Sequence, residues 1–363
     1  MTKSLFIAAT RQNDGKSTLS LGLLQALRKR FPKAGFMKPV GQRYILREGY
    51  EIDEDVALMR DVCGMKDNLG DMNPITIKKG FTEEYIERGK KEKLVQQILG
   101  AFERISKGKE LMLIEGTGHA GVGAVVDLSN ASVAKLLGSK VLLISIGGIG
   151  RPIDEIVINK ALFDQEGVEV LGVVINKVLP GKYEKIKAIT EKGLRKKGIE
   201  LFGVIPFRKS LTYPTMEQIQ EASQSRVLCG KEYLDKKVVN ILVAAMEPYH
   251  ALGHIKPHSL VIVPGDRDDI ILAIIAGSRS EIEDSFEIAG MVLTGGLAPH
   301  LKIRRLMKSC NFSILTSEND TYTTTKKIHE RRIKIRSTDE DKVKDAEKLV
   351  NQYVDVEGLV QRM

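Results

Sequence analysis

With 363 residues, 42% of them hydrophobic, the chain can bury a sizeable core and is long enough for two domains. No apolar run reaches the ~20 residues of a membrane span, the N-terminal apolar stretch is too short for a signal peptide, and Cys63, Cys229 and Cys310 form neither a metal-ligand spacing nor a disulfide framework. A cytoplasmic protein with no membrane partner is therefore expected. The net charge of +9 sits in short clusters at 28–30, 90–93, 195–197 and 331–336, with few aromatics among them and no Trp, so solvated helix faces are expected and a nucleic-acid partner is not.

In chain order, six runs rich in Val, Ile, Leu and Met lie at 4–9, 34–39, 110–115, 140–146, 168–176 and 201–206. They alternate little, as strands covered on both faces should. Helical patterns lie between them at 16–30, 53–63, 82–106, 129–137, 153–165 and 182–197. This rhythm predicts an α/β fold with a doubly wound, mostly parallel sheet, and GKST at 15–18 makes it one of P-loop NTPase type.

The first strand runs into IAATRQNDGKSTLSLGLL, residues 7–24. A strand, a short loop and a long apolar-faced helix are the context of a phosphate loop, where backbone N–H groups and the helix N-terminus meet an anion. Thr10, Asn13, Asp14, Gly15, Lys16, Ser17 and Thr18 form the candidate cradle, with Lys16 for the phosphates and the Ser17 hydroxyl for Mg²⁺. The glycine usual at the start of such loops is missing: Thr10 stands five residues before Gly15 and Ala9 six. Since Ala cannot take positive φ cheaply, a weakened loop is expected. Arg11 has two readings, a solvated arginine or a residue reaching a neighbouring subunit's nucleotide.

Chemistry-bearing residues recur at the later strand ends, where open α/β sheets bind ligands. FMKPVGQ places Lys38 after the second strand, DEDVALMRD puts Asp55 at a helix start, and LMLIEGTGH ends in Glu115 and glycines. The strand in GVVINKV ends in Asn176-Lys177, and that in LFGVIPF ends in Pro206. Two carboxylates, a hydroxyl and phosphate oxygens suit Mg²⁺, a hard cation that keeps several waters. Lys16 and Lys38, the candidate catalytic residues, would spread charge over a transferring phosphoryl group.

The rhythm breaks near Lys209. Apolar runs within 236–246, 259–277 and 288–300 read as a second, smaller α/β domain, and 333–363 as a helical tail with an apolar stripe of Val343, Ala346, Leu349, Val350 and Tyr353. The expected domains are 1–210, 211–332 and 333–363.

The strand-end set resembles dethiobiotin synthetase and its relatives over residues 1–210. The resemblance implies that Ser17, Asp55 and Glu115 hold Mg²⁺, that Lys38 joins Lys16 at the phosphates, and that Asn176 reads the adenine edge with Pro206 beside the base. In the second half, PGDRDDIILA, LTGGLAPH and NDTYTTTKKI resemble a DRTGG domain. The two in this order resemble the N-terminal regulatory part of long phosphotransacetylases. No acetyltransferase domain follows in the sequence, so phosphotransacetylase activity is not expected. The glycine-rich run of the biotin enzymes, EGAGG, is EGTGH here, and biotin synthesis is not expected either. His119 in that run could contact a phosphate or substrate, or serve the loop's structure. Gly265-Asp266-Arg267 and Thr294-Gly295-Gly296 could meet an anion, or form an Asp266–Arg267 turn network.

The function expected is an ATP- and Mg²⁺-binding metabolic sensor or regulator, with a nucleotide, an unidentified small-molecule effector or substrate, a metabolic enzyme and a second copy of the chain as partners. Two alternatives stand beside it: an ATP-dependent ligase that activates a carboxylate or carbamate by phosphorylation, and a dimeric partition-type ATPase.

Overall fold

The structure is a computed structural model that describes residues 2–278, 286–331 and 333–363. The chain divides into two compact units, one formed by Met1–Arg208 together with Ile335–Met363, the other by Lys209–Lys334.

The first unit opens with β1 (Lys3–Ala9), α1 (Lys16–Arg28) and β2 (Ala34–Met37). Next come β3 (Val40–Gly41), the hairpin β4 (Tyr44–Arg47) and β5 (Tyr50–Asp53), the expected helix α2 (Glu54–Cys63), the single turn α3 (Leu69–Met72) and β6 (Ile75–Thr76). Glu48 and Gly49 turn the hairpin with φ of 51° and 82°, the left-handed pair that matches strand twist. The helix expected over 82–106 is two helices, α4 (Phe81–Arg88) and α5 (Lys91–Ser106), because the chain turns extended at Gly89. Then come β7 (Leu111–Glu115), α6 (Asn130–Leu136), β8 (Lys140–Ile146), α7 (Gly150–Gln165), β9 (Val170–Val178), α8 (Tyr183–Arg195) and β10 (Leu201–Pro206).

Six of these strands make one parallel sheet in the order β10-β9-β8-β1-β7-β2. Alternate residues face opposite sides. Phe6, Ala8, Met112, Ile114, Leu143 and Ile175 meet the apolar stripe of α5 (Leu94, Ile98, Ala101, Ile105) and the buried faces of α6–α8. On the other side lies α1, with Leu19, Leu23, Leu24 and Leu27 fully buried. The direction of sheet growth reverses at β1, so a crevice opens at the C-terminal ends of β1 and its neighbours.

The second unit contains α9 (Met216–Ser223), β11 (Arg226–Cys229), β12 (Asn240–Val243), α10 (Pro248–Gly253), β13 (Ser259–Pro264), α11 (Asp268–Gly277), β14 (Ile288–Thr294), α12 (Leu301–Met307), β15 (Ser313–Thr316) and α13 (Thr321–Glu330). Its sheet runs β11-β15-β14-β13-β12, with β11 alone antiparallel. Ile270, Ile271, Ile274 and Ile275 of α11 cover one face, and Met216, Ile219 and Ile328 cover the other. A Cβ on Gly265 would lie 2.0 Å from the Leu297 carbonyl oxygen, so the two glycine-bearing loops meet backbone to backbone. Arg267 pairs with Asp269 through two hydrogen bonds of 2.8 and 2.9 Å rather than with Asp266.

The tail, α14 (Glu340–Tyr353) and α15 (Val356–Arg362), belongs to the first unit and packs on α1 and β10. It crosses α1 at Gly22, where a Cβ would stand 2.4 Å from the Ala346 carbonyl oxygen. The stripe residues Val343, Ala346, Leu349 and Val350 are buried by this docking.

Candidate functional site

The loop between β1 and α1 takes positive φ at Asn13 (68°) and Gly15 (103°), and at neither Ala9 nor Thr10. No backbone conformation at Ala9 or Thr10 therefore demands the missing glycine. Gly15 is needed twice over, since a Cβ there would also lie 2.1 Å from Asn176 Nδ2. The loop braces itself through Asp14, whose buried carboxylate accepts from the Thr10 hydroxyl and the Arg11 N–H, both at 2.9 Å. Burial pushes the Asp14 carboxyl up, and those two hydrogen bonds pull against the shift.

Lys16 begins α1, is buried, and donates to the Gly118 carbonyl at 3.1 Å. Burial lowers its pKa, with the Glu115 charge opposing. Ser17 donates to Glu115 Oε1 at 3.2 Å, and Thr18 follows on the same helix.

Lys38 lies just past β2, and Asp55 in the first turn of α2. The Lys38 ammonium is ringed by carboxylates: Asp53 at 3.0 Å, Glu115 at 3.5 Å, and Asp55 in direct contact. All four side chains are buried. Burial alone would lower the lysine, but Asp55, Glu115 and Asp53 outweigh it and hold the ammonium above its ordinary value. Burial and the neighbouring Asp55 charge raise Glu115, against the pull of Lys38 and Lys16. Glu115 Oε2 is buried near the Ser20 hydroxyl, and neither oxygen has a hydrogen-bond partner of ordinary geometry among the described residues.

Ser17, Lys38, Asp55 and Glu115 thus come together from α1, the β2 end, α2 and the β7 end. An unpartnered carboxylate oxygen beside a hydroxyl and a second carboxylate is a hard-oxygen donor set that fits Mg²⁺. Among the described residues no three His, Cys, Asp or Glu side chains could cage a metal by themselves. A cation here would take its remaining ligands from phosphate and water.

Asn176, near the end of β9, lies against the loop: its Nδ2 donates to the Asp14 carbonyl and its Oδ1 accepts from the Lys177 N–H, both at 2.8 Å. Pro206 is buried at the end of β10, in register with Val178. Arg11 pairs with Glu155 of its own chain at 2.9 Å. His119 accepts the Gly121 N–H at 3.2 Å, and its carbonyl takes a hydrogen bond from Asn130 at 2.6 Å. Its loop is pinned further by Asn159, which accepts from the Ala120 N–H at 2.8 Å.

Sequence reasoning missed three participants. Asp53 caps α2 through the Asp55 N–H and also binds Lys38 and the backbone N–H groups of Gln42 and Arg43. A cap aspartate before a helix is legible in sequence, but its second use is not. Asn73 fixes both sides of that pair, accepting from the Asp53 N–H at 2.7 Å and donating to the Lys38 carbonyl at 2.8 Å. Lys177, with φ of 57°, donates its ammonium to the Asn13 carbonyl at 2.5 Å.

No helix among the described residues is long and apolar enough to cross a membrane. The chain is 28% identical to a phosphate acetyltransferase of Nitratidesulfovibrio vulgaris over all of its length and 52% of that relative's. It is 27% identical to one of Synechocystis sp. over 99% of its length and again 52% of the relative's. It spans about half the length of these curated relatives. Among solved structures, it is similar to the MinC:MinD cell division protein complex of Aquifex aeolicus, with a TM-score of 0.36 and 16% identity over 58% of this chain and 84% of that one. Residues 3–215, more than half the chain and the whole of the site just described, match the AAA_26 family of AAA domains, and residues 218–331 match the DRTGG domain. The chain therefore belongs to the AAA_26 family and carries its P-loop domain followed by a DRTGG domain.

Proposed function

We propose that the chain is an ATP- and Mg²⁺-binding regulatory protein: the first unit holds the nucleotide, and the DRTGG unit belongs to the response. The convergence of Lys16, Ser17, Lys38, Asp55 and Glu115 from four separate elements on one strand-end crevice carries this reading. The loop amides and Lys16 bind the outer phosphates. Ser17, Asp55 and Glu115 hold Mg²⁺, which supplies positive charge against the phosphate oxygens when bound. Lys38, beside the same carboxylates, would add its own charge at the phosphates. Asn176 spends one amide hydrogen and one lone pair on the loop and Lys177, and keeps a second of each for the adenine edge, with Pro206 beside the base.

A regulator is favoured over a ligase because the 116–123 loop, where an acceptor would sit, is tied down by Asn130 and Asn159. The half-length match to phosphate acetyltransferases makes an enzyme that moves acetyl groups to phosphate the partner class.

The test is a thermal-shift titration of the full chain with ATP, with and without Mg²⁺. At a hundredfold excess over Kd, binding should stabilise wild type by about 2.7 kcal/mol. Lys16→Ala should abolish the shift, and Glu115→Gln should remove its Mg²⁺ dependence. Unchanged ATP affinity in Lys16→Ala refutes the site. Slow ATP turnover that rises sharply with an added carboxylate or amine moves the assignment to a ligase.

A further inference from the structure

At the far end of the first unit's sheet, away from the nucleotide crevice, a cavity of about 400 Å³ is lined by Arg28, Lys33, Lys66, Asp67, Lys107 and Lys109, with Gly64 and Gly108 on its rim. It sits where the C-terminal ends of α1, α2 and α5 meet the starts of β2 and β7. We propose that this pocket binds a small polyanion of the phosphorylated-metabolite class, at a site separate from the phosphate loop.

Charge balance is the first argument. Five cations face one carboxylate, and that carboxylate, Asp67, is taken by Lys109 at 3.0 Å. Lys33, Lys66 and Lys107 have no carboxylate partner among the described residues. Glu110, the nearest other acid in sequence, caps the Lys33 backbone N–H at 3.0 Å rather than its ammonium. Three helix C-termini attract cations, but at roughly half a charge each they offset about one and a half of an excess of four. The Glu110 carboxylate beside Lys33 offsets one more, and the lining stays net positive.

Shape is the second argument. The basic neighbours just past α1 are committed elsewhere: Lys29 pairs with Glu347 and Arg30 with Glu357 of the tail. Arg28 alone turns toward the cavity, held by a hydrogen bond to the Cys63 carbonyl at the end of α2. One guanidinium N–H is thus fixed, and the rest of its fork remains to meet phosphate oxygens. The rim glycines have open space where a side chain would stand, so backbone does not close the mouth. The volume lies in the range of small-ligand pockets, too confined for a nucleic-acid duplex. The nucleotide loop stands at the opposite end of α1, about 20 Å away along its 13 residues.

The probe is inorganic pyrophosphate without Mg²⁺, titrated calorimetrically into the full chain. Wild type is compared with Lys16→Ala, which reads the loop's own share. In the Lys16→Ala background, Lys66→Gln with Lys107→Gln is compared with Lys90→Gln with Lys93→Gln, which removes the same charge from another exposed basic cluster. The pocket pair should weaken the remaining pyrophosphate binding by about tenfold or more, the control pair by less than about twofold, and Lys66→Arg with Lys107→Arg should restore it. No pyrophosphate binding in Lys16→Ala, no loss in the pocket pair, or equal loss in both pairs would each overturn the proposal. The nucleotide reading is judged by wild type against Lys16→Ala alone and can stand or fall separately.

Discussion

Lys38→Met tests the electrostatic centre of the site. The ammonium is the shared counter-ion of Asp53, Asp55 and Glu115, and its side chain and all three carboxylates are buried. At an effective dielectric of about 20, each contact at 3.0–3.5 Å is worth about 5 kcal/mol before the desolvation of both partners is subtracted. A methionine keeps the shape and removes the charge, so the folded variant must take up a proton to relieve the stranded carboxylates. Glu115, already raised by burial and by Asp55, is the first candidate. Protonating a group of ordinary pKa 4.5 costs about 4 kcal/mol at pH 7.5 and about 1.4 kcal/mol at pH 5.5. Those values bound the destabilisation and agree with the ~3–5 kcal/mol typical of a broken buried pair. The folded variant then binds a proton that the unfolded chain lacks, so its stability falls as pH rises. Its deficit against wild type should shrink by about 2.7 kcal/mol between pH 7.5 and 5.5. Urea unfolding at the two pH values, followed by far-UV circular dichroism, measures it. A deficit below about 1 kcal/mol at pH 7.5, or one that is flat or grows on acidification, would refute the reasoning.

Asn176→Ala should cost about 1–3 kcal/mol of stability, since the Asp14 carbonyl and the Lys177 N–H lose their partner, and should relax adenine over guanine preference in competition binding. It also removes the atom 2.1 Å from a Cβ at Gly15, so Gly15→Ala should be less harmful in that background than in wild type; additive unfolding energies would contradict this. Gly22→Val would press α14 off α1 at Ala346 and Val350, at a cost of about 1–3 kcal/mol. Limited proteolysis should then cut the tail near 335–340 well before wild type. Gly265→Ala meets a backbone oxygen that cannot swing away, so the second unit's thermal transition should drop while the first unit's ATP shift is retained.

The six parallel strands and the helices between them were legible because doubly covered strands read as unbroken apolar runs, and amphipathic helices keep their period. The stretches 40–53 and 69–76 on either side of the expected helix α2 were not, since their hairpin and two-residue strands are held by long-range partners: Val40 pairs with Ile75, and Asp53 hangs on Asn73. Residue types determined much of the site in advance, because GKST, the lysine after β2 and the carboxylates at α2 and β7 are each confined to a strand end by their local pattern. What those groups do to one another was decided only in three dimensions. Nothing local tells Lys38 that its neighbours are Asp53, Asp55 and Glu115, or Gly22 that a tail more than 300 residues later crosses it at Ala346. Local pattern sets backbone conformation through short-range sterics and burial. Charge pairing, close backbone approach and the sign of φ in the phosphate loop depend on chain segments that only the packed sheet brings together.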